Sequence, residues 1–304
     1  MIISSKNEYG ELRSILVGSV DNFAWPIDDN EFDISVGRST YEKKFKHNPV
    51  ADTVINEARQ DLQTLVKTLE DRNVKVYRPK ITNPTWAYSA RDIILTVGNT
   101  IIECPTPFTS RSRELDLYPE LTLADCKVIR APRPNTEDDP MFDAANVLKV
   151  NDKLVYSLSH SANEAGAEWL QEQVGTEFEV VKWQAVQHQV THIDSTLLSC
   201  GKNMIIANAS RLTTETLPAF MKDYKTIWVS DCVPRKFDYF PFASKWIGMN
   251  MLSLDPETII IDEIQTELIT QLKQEKLTVI PLPMRQSRTL GGGFHCVTCD
   301  LERS

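Results

Sequence analysis

The residues best suited to chemistry lie in Gly291-Gly292-Gly293-Phe294-His295-Cys296-Val297-Thr298-Cys299-Asp300, a run ending four residues before the C-terminus. Three glycines in a row free the backbone from the limits that a Cβ imposes and let it pass close to a ligand. A thiol beside a candidate base on such a loop suits nucleophilic catalysis by cysteine. Two other chemistries use the same letters. Cys296-x-x-Cys299 is half of a zinc site, but a zinc site wants a second close pair, and Cys104, Cys126, Cys200 and Cys232 are scattered and single. A redox pair usually opens a helix, whereas Val297 and Thr298 favour a strand.

Composition narrows the surroundings of this thiol. The chain has 304 residues, enough to bury a sizeable core, and a formal net charge of -9. That charge argues against nucleic acid or an anionic membrane as the main partner. No apolar run approaches the length of a membrane span, and residues 1–8 lack the basic-then-apolar pattern of a signal peptide. Six cysteines without a paired framework suggest a reducing compartment. The expectation is a soluble, cytoplasmic globular protein.

The elements that would position the thiol come as a repeated unit. Asp92–Cys104 is two apolar runs joined at Gly98-Asn99, a hairpin signal, followed by a polar, helix-like stretch and a strand near 127–130. A second hairpin turns at Asn151-Asp152, with a helix over 162–174 and a strand over 178–183. The third spans 196–207, with a helix near 217–224 and a strand at 226–230. The fourth turns at Asp255-Pro256 before a helix over 264–274 and a strand over 277–281. Hairpins begin near 92, 147, 196 and 250, so the unit recurs about every fifty residues. A fifth unit is split between the ends: Phe294–Thr298 is expected to pair with Ser14–Val20. An amphipathic helix carrying Ile55, Ala58, Leu62, Leu65, Val66 and Leu69 on one face follows, then a strand at 74–78. Pairing the termini closes a ring and removes open sheet edges. The expected architecture is α/β, a single domain over residues 1–304 with five units around an axis; an ordinary mixed α/β sheet is the alternative.

On that scheme the polar candidates fall at equivalent places. Asp92 stands where the first hairpin begins, and Asp143 just before the second. His192 and Asp194 precede the third, Ser244 the fourth, and Cys296 is in the fifth. Equivalent positions of a radial repeat converge at one end of its axis, so three carboxylates, a histidine and a thiol would share one funnel. Three carboxylates repel one another unless a cation neutralises them, and a planar guanidinium pairs with them best. Its carbon is a poor electrophile, but holding its nitrogens and attacking with a thiolate makes substitution feasible. A free thiol has a pKa of about 8.5, so Cys296 needs a local positive charge from the bound cation or from protonated His192. His192 would protonate the departing amine, with Asp143 setting its orientation.

At these residues the sequence resembles the arginine amidinotransferases. The matching pieces are Ala90-Arg91-Asp92-Ile93, Phe142-Asp143-Ala144-Ala145, His192-Ile193-Asp194, Ser244-Lys245-Trp246 and the glycine-led run ending at Asp300, in family order from about Tyr9 to Glu302. The resemblance implies a five-fold pseudosymmetric α/β propeller of ββαβ modules. It also implies Cys296 as nucleophile, His192 as acid then base, and Asp143 as the histidine's partner. Asp92 and Asp194 would hold the guanidinium, Ser244 would line the substrate site, and Arg211 would bind the donor's carboxylate. Arginine would give an amidino-cysteine and release ornithine, and an amine would then take the amidino group, with no metal or organic cofactor. The partners implied are small molecules only, and family members often dimerise, which allows for a homodimer. His295 and Cys299 receive no catalytic role and are read as structural. The glycine-using enzymes have Asn-Pro-Met where Gln189-Val190-Thr191 stands here, and Ser-Ser-Lys-Trp where Ala243-Ser244-Lys245-Trp246 stands. Gln189, Thr191 and Ala243 are therefore read as acceptor-selecting, against glycine and toward a bulkier or non-amino-acid amine. The rival readings are a guanidino hydrolase that makes citrulline from arginine, an idle arginine-binding protein, and a zinc-binding structural protein.

Overall fold

The computed structural model describes residues 1–24, 50–185, 191–238 and 241–304. Among them, fifteen strands form five three-stranded sheets, each built the same way. An inner strand turns back antiparallel into a middle strand, and an outer strand joins the middle one in parallel. The four uninterrupted sheets are β3–β5 (Ile94–Val97, Thr100–Glu103, Lys127–Arg130), β6–β8 (Val147–Val150, Lys153–Ser157, Glu179–Trp183), β9–β11 (Leu197–Gly201, Met204–Asn208, Lys225–Val229) and β12–β14 (Leu252–Asp255, Thr258–Asp262, Thr278–Leu282). The fifth joins the ends of the chain: β15 (Thr298–Arg303) lies antiparallel to β1 (Leu12–Val17), which pairs in parallel with β2 (Lys75–Tyr77).

Turn chemistry explains the hairpins. Gly98, Asn151 and Asn203 take left-handed φ values of 54°, 58° and 59°, which glycine and asparagine tolerate best. In the fourth hairpin Asp255 Oδ1 accepts a hydrogen bond from Glu257 N at 2.8 Å, the local bond that aspartate offers a turn. The crossovers carry α1 (Asp52–Glu70), α2 (Pro119–Thr122), α3 (Glu164–Val174) and α4 (Thr266–Gln274). Helix α1 buries Val54, Ala58, Leu62, Leu65 and Leu69, each large side chain contributing about 1.5–3 kcal/mol. Asn163 caps α3 by accepting from Gly166 N at 2.8 Å.

Alternation along the strands closes the ring. Ile15 and Val17 pack toward the β12–β14 sheet while Leu16 packs toward β3 and β4, so one strand feeds two cores. The other sheets do likewise, and five apolar clusters each fill the space between two neighbouring sheets. A mixed open sheet would lack that closure, and the five-unit α/β propeller stands.

Three local expectations are corrected. The span 217–224 holds one 3-10 turn, Ala219–Met221, which Leu217-Pro218 separates from another at Thr214–Thr216. A residue before proline is pushed out of the helical region, and Leu217 is extended (φ -61°, ψ 152°). The first unit's helix-like stretch is likewise mostly 3-10 turn, Thr109–Arg111 and Glu114–Leu117, before the four-residue α2. The last strand begins at Thr298, not Phe294. Val297 N donates back to Gly293 O and Thr298 N to His295 O, so Phe294–Val297 is a turn. Cys296 thereby sits at the mouth of the inner strand instead of within it.

Candidate active site

In each of the five sheets a polar candidate stands just ahead of the inner strand. Asp92 precedes β3. Asp143 caps the 3-10 turn Ala144–Asn146 that runs into β6, and His192 is the cap of Ile193–Ser195, which runs into β9. Ser244 caps Lys245–Met249 ahead of β12, its Oγ accepting from Trp246 N at 3.3 Å. Cys296 precedes β15.

Asp92, Asp143, His192, Asp194 and Cys296 converge in two linked groups, whereas Ser244 is exposed and, among the described residues, bonds only within its own turn. His192 Nε2 lies 3.0 Å from Asp143 Oδ2, and its Nδ1 is 3.7 Å from Asp92 Oδ1. Asp143 is anchored in turn by Thr106, whose hydroxyl donates to Oδ1 at 2.7 Å. The Cys296 thiol donates to Asp194 Oδ2 at 3.2 Å. Asp92, Asp143, Asp194 and Cys296 are all buried. Arg211 reaches the same His192 turn: its Nη1 donates to Ser195 O, Ser195 Oγ and Thr196 Oγ1 at 2.8–3.0 Å. Among the described residues it pairs with no carboxylate, and partial burial lowers its pKa.

Electrostatics set the resting state. Burial alone favours a neutral His192 ring, but Asp92, Asp143 and Asp194 outweigh it and raise the pKa to about 9. Burial, reinforced by Asp194 and Asp92, pushes the Cys296 thiol well above its ordinary range. The resting pair at neutral pH is therefore an imidazolium and a neutral thiol. Burial also raises Asp92, against the pull of Arg111 and His192. Asp194 goes the other way: His295, His192 and the thiol overcome its burial and hold it well below the usual carboxylate range.

The glycines serve close packing. A Cβ on Gly293 would lie 2.7 Å from the Cβ of Asn250, and one on Gly292 would lie 2.9 Å from Ser89 Oγ. Gly291 has φ +80°. Asn250 then pins the loop, with Oδ1 accepting from Cys296 N at 2.9 Å and its carbonyl accepting from Phe294 N at 3.0 Å.

Of the acceptor-selecting candidates, Gln189 lies outside the described residues. Thr191 O accepts from Asn146 Nδ2 at 2.6 Å, which ties it to the Asp143 turn. Ala243 exchanges bonds with Arg288: its N donates to Arg288 O and its O accepts from Arg288 Nε at 3.2 Å.

Sequence reasoning missed several partners. His295 bridges two carboxylates, Nδ1 to Asp194 Oδ2 at 2.9 Å and Nε2 to Glu8 Oε2 at 2.6 Å. Arg111 Nη1 donates to Asp92 Oδ2 at 2.5 Å. Nothing local marks Glu8, but Arg111 and Glu114 stand three apart, the spacing of a helical-turn ion pair.

A five-bladed α/β ring with a thiol, an imidazole and carboxylates gathered at the entries of its inner strands defines the class of protein. No family profile matches the chain. Inosamine-phosphate amidinotransferase 1 of Streptomyces griseus is 33% identical over 339 residues, covering 100% of this chain and 97% of that protein. The L-arginine:L-lysine amidinotransferase of Pseudomonas savastanoi pv. phaseolicola is 26% identical, over 99% of this chain and 94% of that one. The solved inosamine-phosphate amidinotransferase StrB1 of Streptomyces griseus superposes with a TM-score of 0.91 at 32% identity, covering 99% and 97% of the two chains. At 16% identity and a TM-score of 0.66, over 95% of this chain and 99% of its own, the DDAH of Pseudomonas aeruginosa shares the fold. This chain belongs to the amidinotransferase family, whose chemistry is transfer of amidino groups, and its fold is the five-fold α/β propeller called the pentein fold.

Proposed function

We propose that this protein moves the amidino group of L-arginine, through a covalent amidino-Cys296, to an amine acceptor other than glycine, releasing L-ornithine. One observation carries the reading. The Cys296 thiol donates to the buried Asp194 carboxylate, and Asp92 Oδ1 is a buried acceptor without a hydrogen-bond partner among the described residues. Such a site gains most from a flat cation with several N–H donors.

In this reading Asp92 and Asp194 hold the donor's guanidinium and Arg211 its carboxylate, with Ser244 lining the site. The entering cation offsets the charges that keep the thiol protonated, so donor binding itself favours the thiolate, and the thiol proton passes to solvent as the donor enters, His192 keeping its own. The thiolate attacks the guanidinium carbon, His192 gives its proton to the departing ornithine amine, and the resulting neutral ring then deprotonates the acceptor. Asp143 keeps the imidazole oriented and charged for the first of these steps. Thr191, Ala243 and Gln189 select the acceptor. The relatives named above transfer to different acceptors by their names, which supports placing specificity in such variable positions. The reaction draws on no metal or organic cofactor, and residues 1–304 act as a single domain, a view supported by the apolar clusters that join every pair of adjacent sheets.

The test is the intact mass of the protein with arginine alone, then with a panel of amines. One added amidino group on Cys296 with ornithine released is the expected result, and the amine that discharges it names the acceptor. Citrulline formed with no amine present would make the protein a hydrolase instead. No adduct and no product would leave an arginine-binding protein.

A further inference from the structure

Among the described residues, Arg111 is the one cation bound to the candidate guanidinium clamp that neither the repeat nor the resemblance singles out. It stands on the 3-10 turn Thr109–Arg111 between β4 and β5, and its side chain is 2% exposed. Glu114 grips one edge of its guanidinium with both oxygens, from Nε at 2.7 Å and from Nη2 at 2.9 Å. Nη2 also donates to Ser89 O at 2.8 Å, and the Trp86 ring faces the group with its centroid 5.5 Å from Cζ. A guanidinium tied on this many sides has one orientation left, and it directs Nη1 to Asp92 Oδ2.

The other oxygen of Asp92 is treated differently. Oδ1 is buried, has no hydrogen-bond partner among the described residues, and lies 3.7 Å from His192 Nδ1. A buried acceptor left open costs stability unless something else fills it. Charge is arranged to the same end. A bare arginine this close to a cation site would repel the ligand; Glu114, whose carboxyl burial raises to about 7, grips Arg111 with both oxygens and offsets that charge.

We propose that Arg111, held by Glu114, is a positioning residue for the donor: it fixes the carboxylate plane of Asp92, occupies Oδ2, and leaves Oδ1 as the single oxygen that receives a donor N–H. The donor guanidinium thus meets Asp92 through one oxygen and not as a two-pronged pair. This rests on the reading of Asp92 as a guanidinium ligand.

The experiment compares kcat and KM for arginine in ornithine release, with the amine that discharges the adduct present at a fixed saturating level, in wild type, Arg111→Gln, Arg111→Lys, Glu114→Gln, Asp92→Asn and the Arg111→Gln/Asp92→Asn double variant. Loss of the fixed orientation should raise KM in Arg111→Gln by about tenfold to a hundredfold, the range of a lost charge-assisted hydrogen bond. Arg111→Lys keeps the charge without the fork and should recover part of that loss. Glu114→Gln exposes the Arg111 charge and should raise KM by a smaller factor, although neither group touches the donor. In the Asp92→Asn background, Arg111→Gln should add little, because its effect passes through that carboxylate. An equal KM penalty with and without the Asp92 carboxylate would overturn the proposal, as would a KM in Glu114→Gln equal to that of wild type. That second outcome decides the matter even if Arg111→Gln does not fold. A wild-type protein that never forms an adduct with arginine would instead reject the function reading, and this proposal with it.

Discussion

Two buried polar regions of this protein sit a few ångströms apart and are balanced in opposite ways. Below the Cys296 loop, Asp300 is fully enclosed and every oxygen is matched: Lys149 Nζ at 2.6 Å, Ser5 Oγ at 2.5 Å and Arg91 Nη2 at 2.9 Å, with Arg303 Nε 3.2 Å away. Lys149, Arg303 and Arg91 overcome its burial and hold its carboxyl well below the usual range. Arg91 reaches upward as well, donating from Nε to His295 O at 2.9 Å. Beside the thiol the pattern reverses. Asp92 and Asp143 both face His192, and Asp92 Oδ1, 3.7 Å from the ring, accepts no hydrogen bond among the described residues. Matched buried charge holds a structure together, whereas buried charge short of its counter-ion marks where a charged ligand belongs.

That contrast separates what each region does when it is broken. Cys296→Ala should have the largest effect on chemistry: adduct formation with arginine should fall by at least about 10⁴-fold, the scale of removing a nucleophile, with the unfolding midpoint nearly unchanged. Mass spectrometry and urea denaturation on the same sample check both halves. Asp300→Asn should do the reverse, costing about 3–5 kcal/mol of stability because it strands buried cations. If urea denaturation finds it as stable as wild type, the matched network is not what braces the loop. The smallest and sharpest test is pH. His192 is raised from 6.5 to about 9, so the stability from its ion pairing is full below pH 6.5 and is lost as pH rises through 9. Proton resonances of its ring should titrate near pH 9 in wild type and at lower pH in Asp143→Asn, and the high-pH limb of ornithine release should shift with them.

Much of this was legible without a structure, but not evenly. The hairpins could be read because Gly98-Asn99, Asn151-Asp152 and Gly201-Lys202 offer turn residues between apolar runs. The equivalence of Asp92, Asp143, His192, Ser244 and Cys296 followed from counting repeats. The expected helix over 217–224 failed on Pro218, whose effect on Leu217 outweighs the propensity of the residues after it. The buried Lys149, written into the otherwise apolar inner strand Val147–Val150, was a visible anomaly whose meaning lay 151 residues away at Asp300. Glu8 was silent because its partner His295 is brought close by ring closure, whereas Arg111 carried only its spacing to Glu114, and its bond to Asp92 needed the fold.

By itself the sequence determined the repeating unit, the ring that pairs the two ends of the chain, and the thiol, imidazole and carboxylates that share its mouth. Those depend on period, turn chemistry and residue type, which are local. Only the tertiary structure decided that Asp194 binds both His295 and the thiol, that Arg111 takes one oxygen of Asp92, and that the other stays open. Such choices depend on distances and orientations of a few tenths of an ångström between residues far apart in the chain, and hydrogen bonding between buried charges is sensitive on that scale.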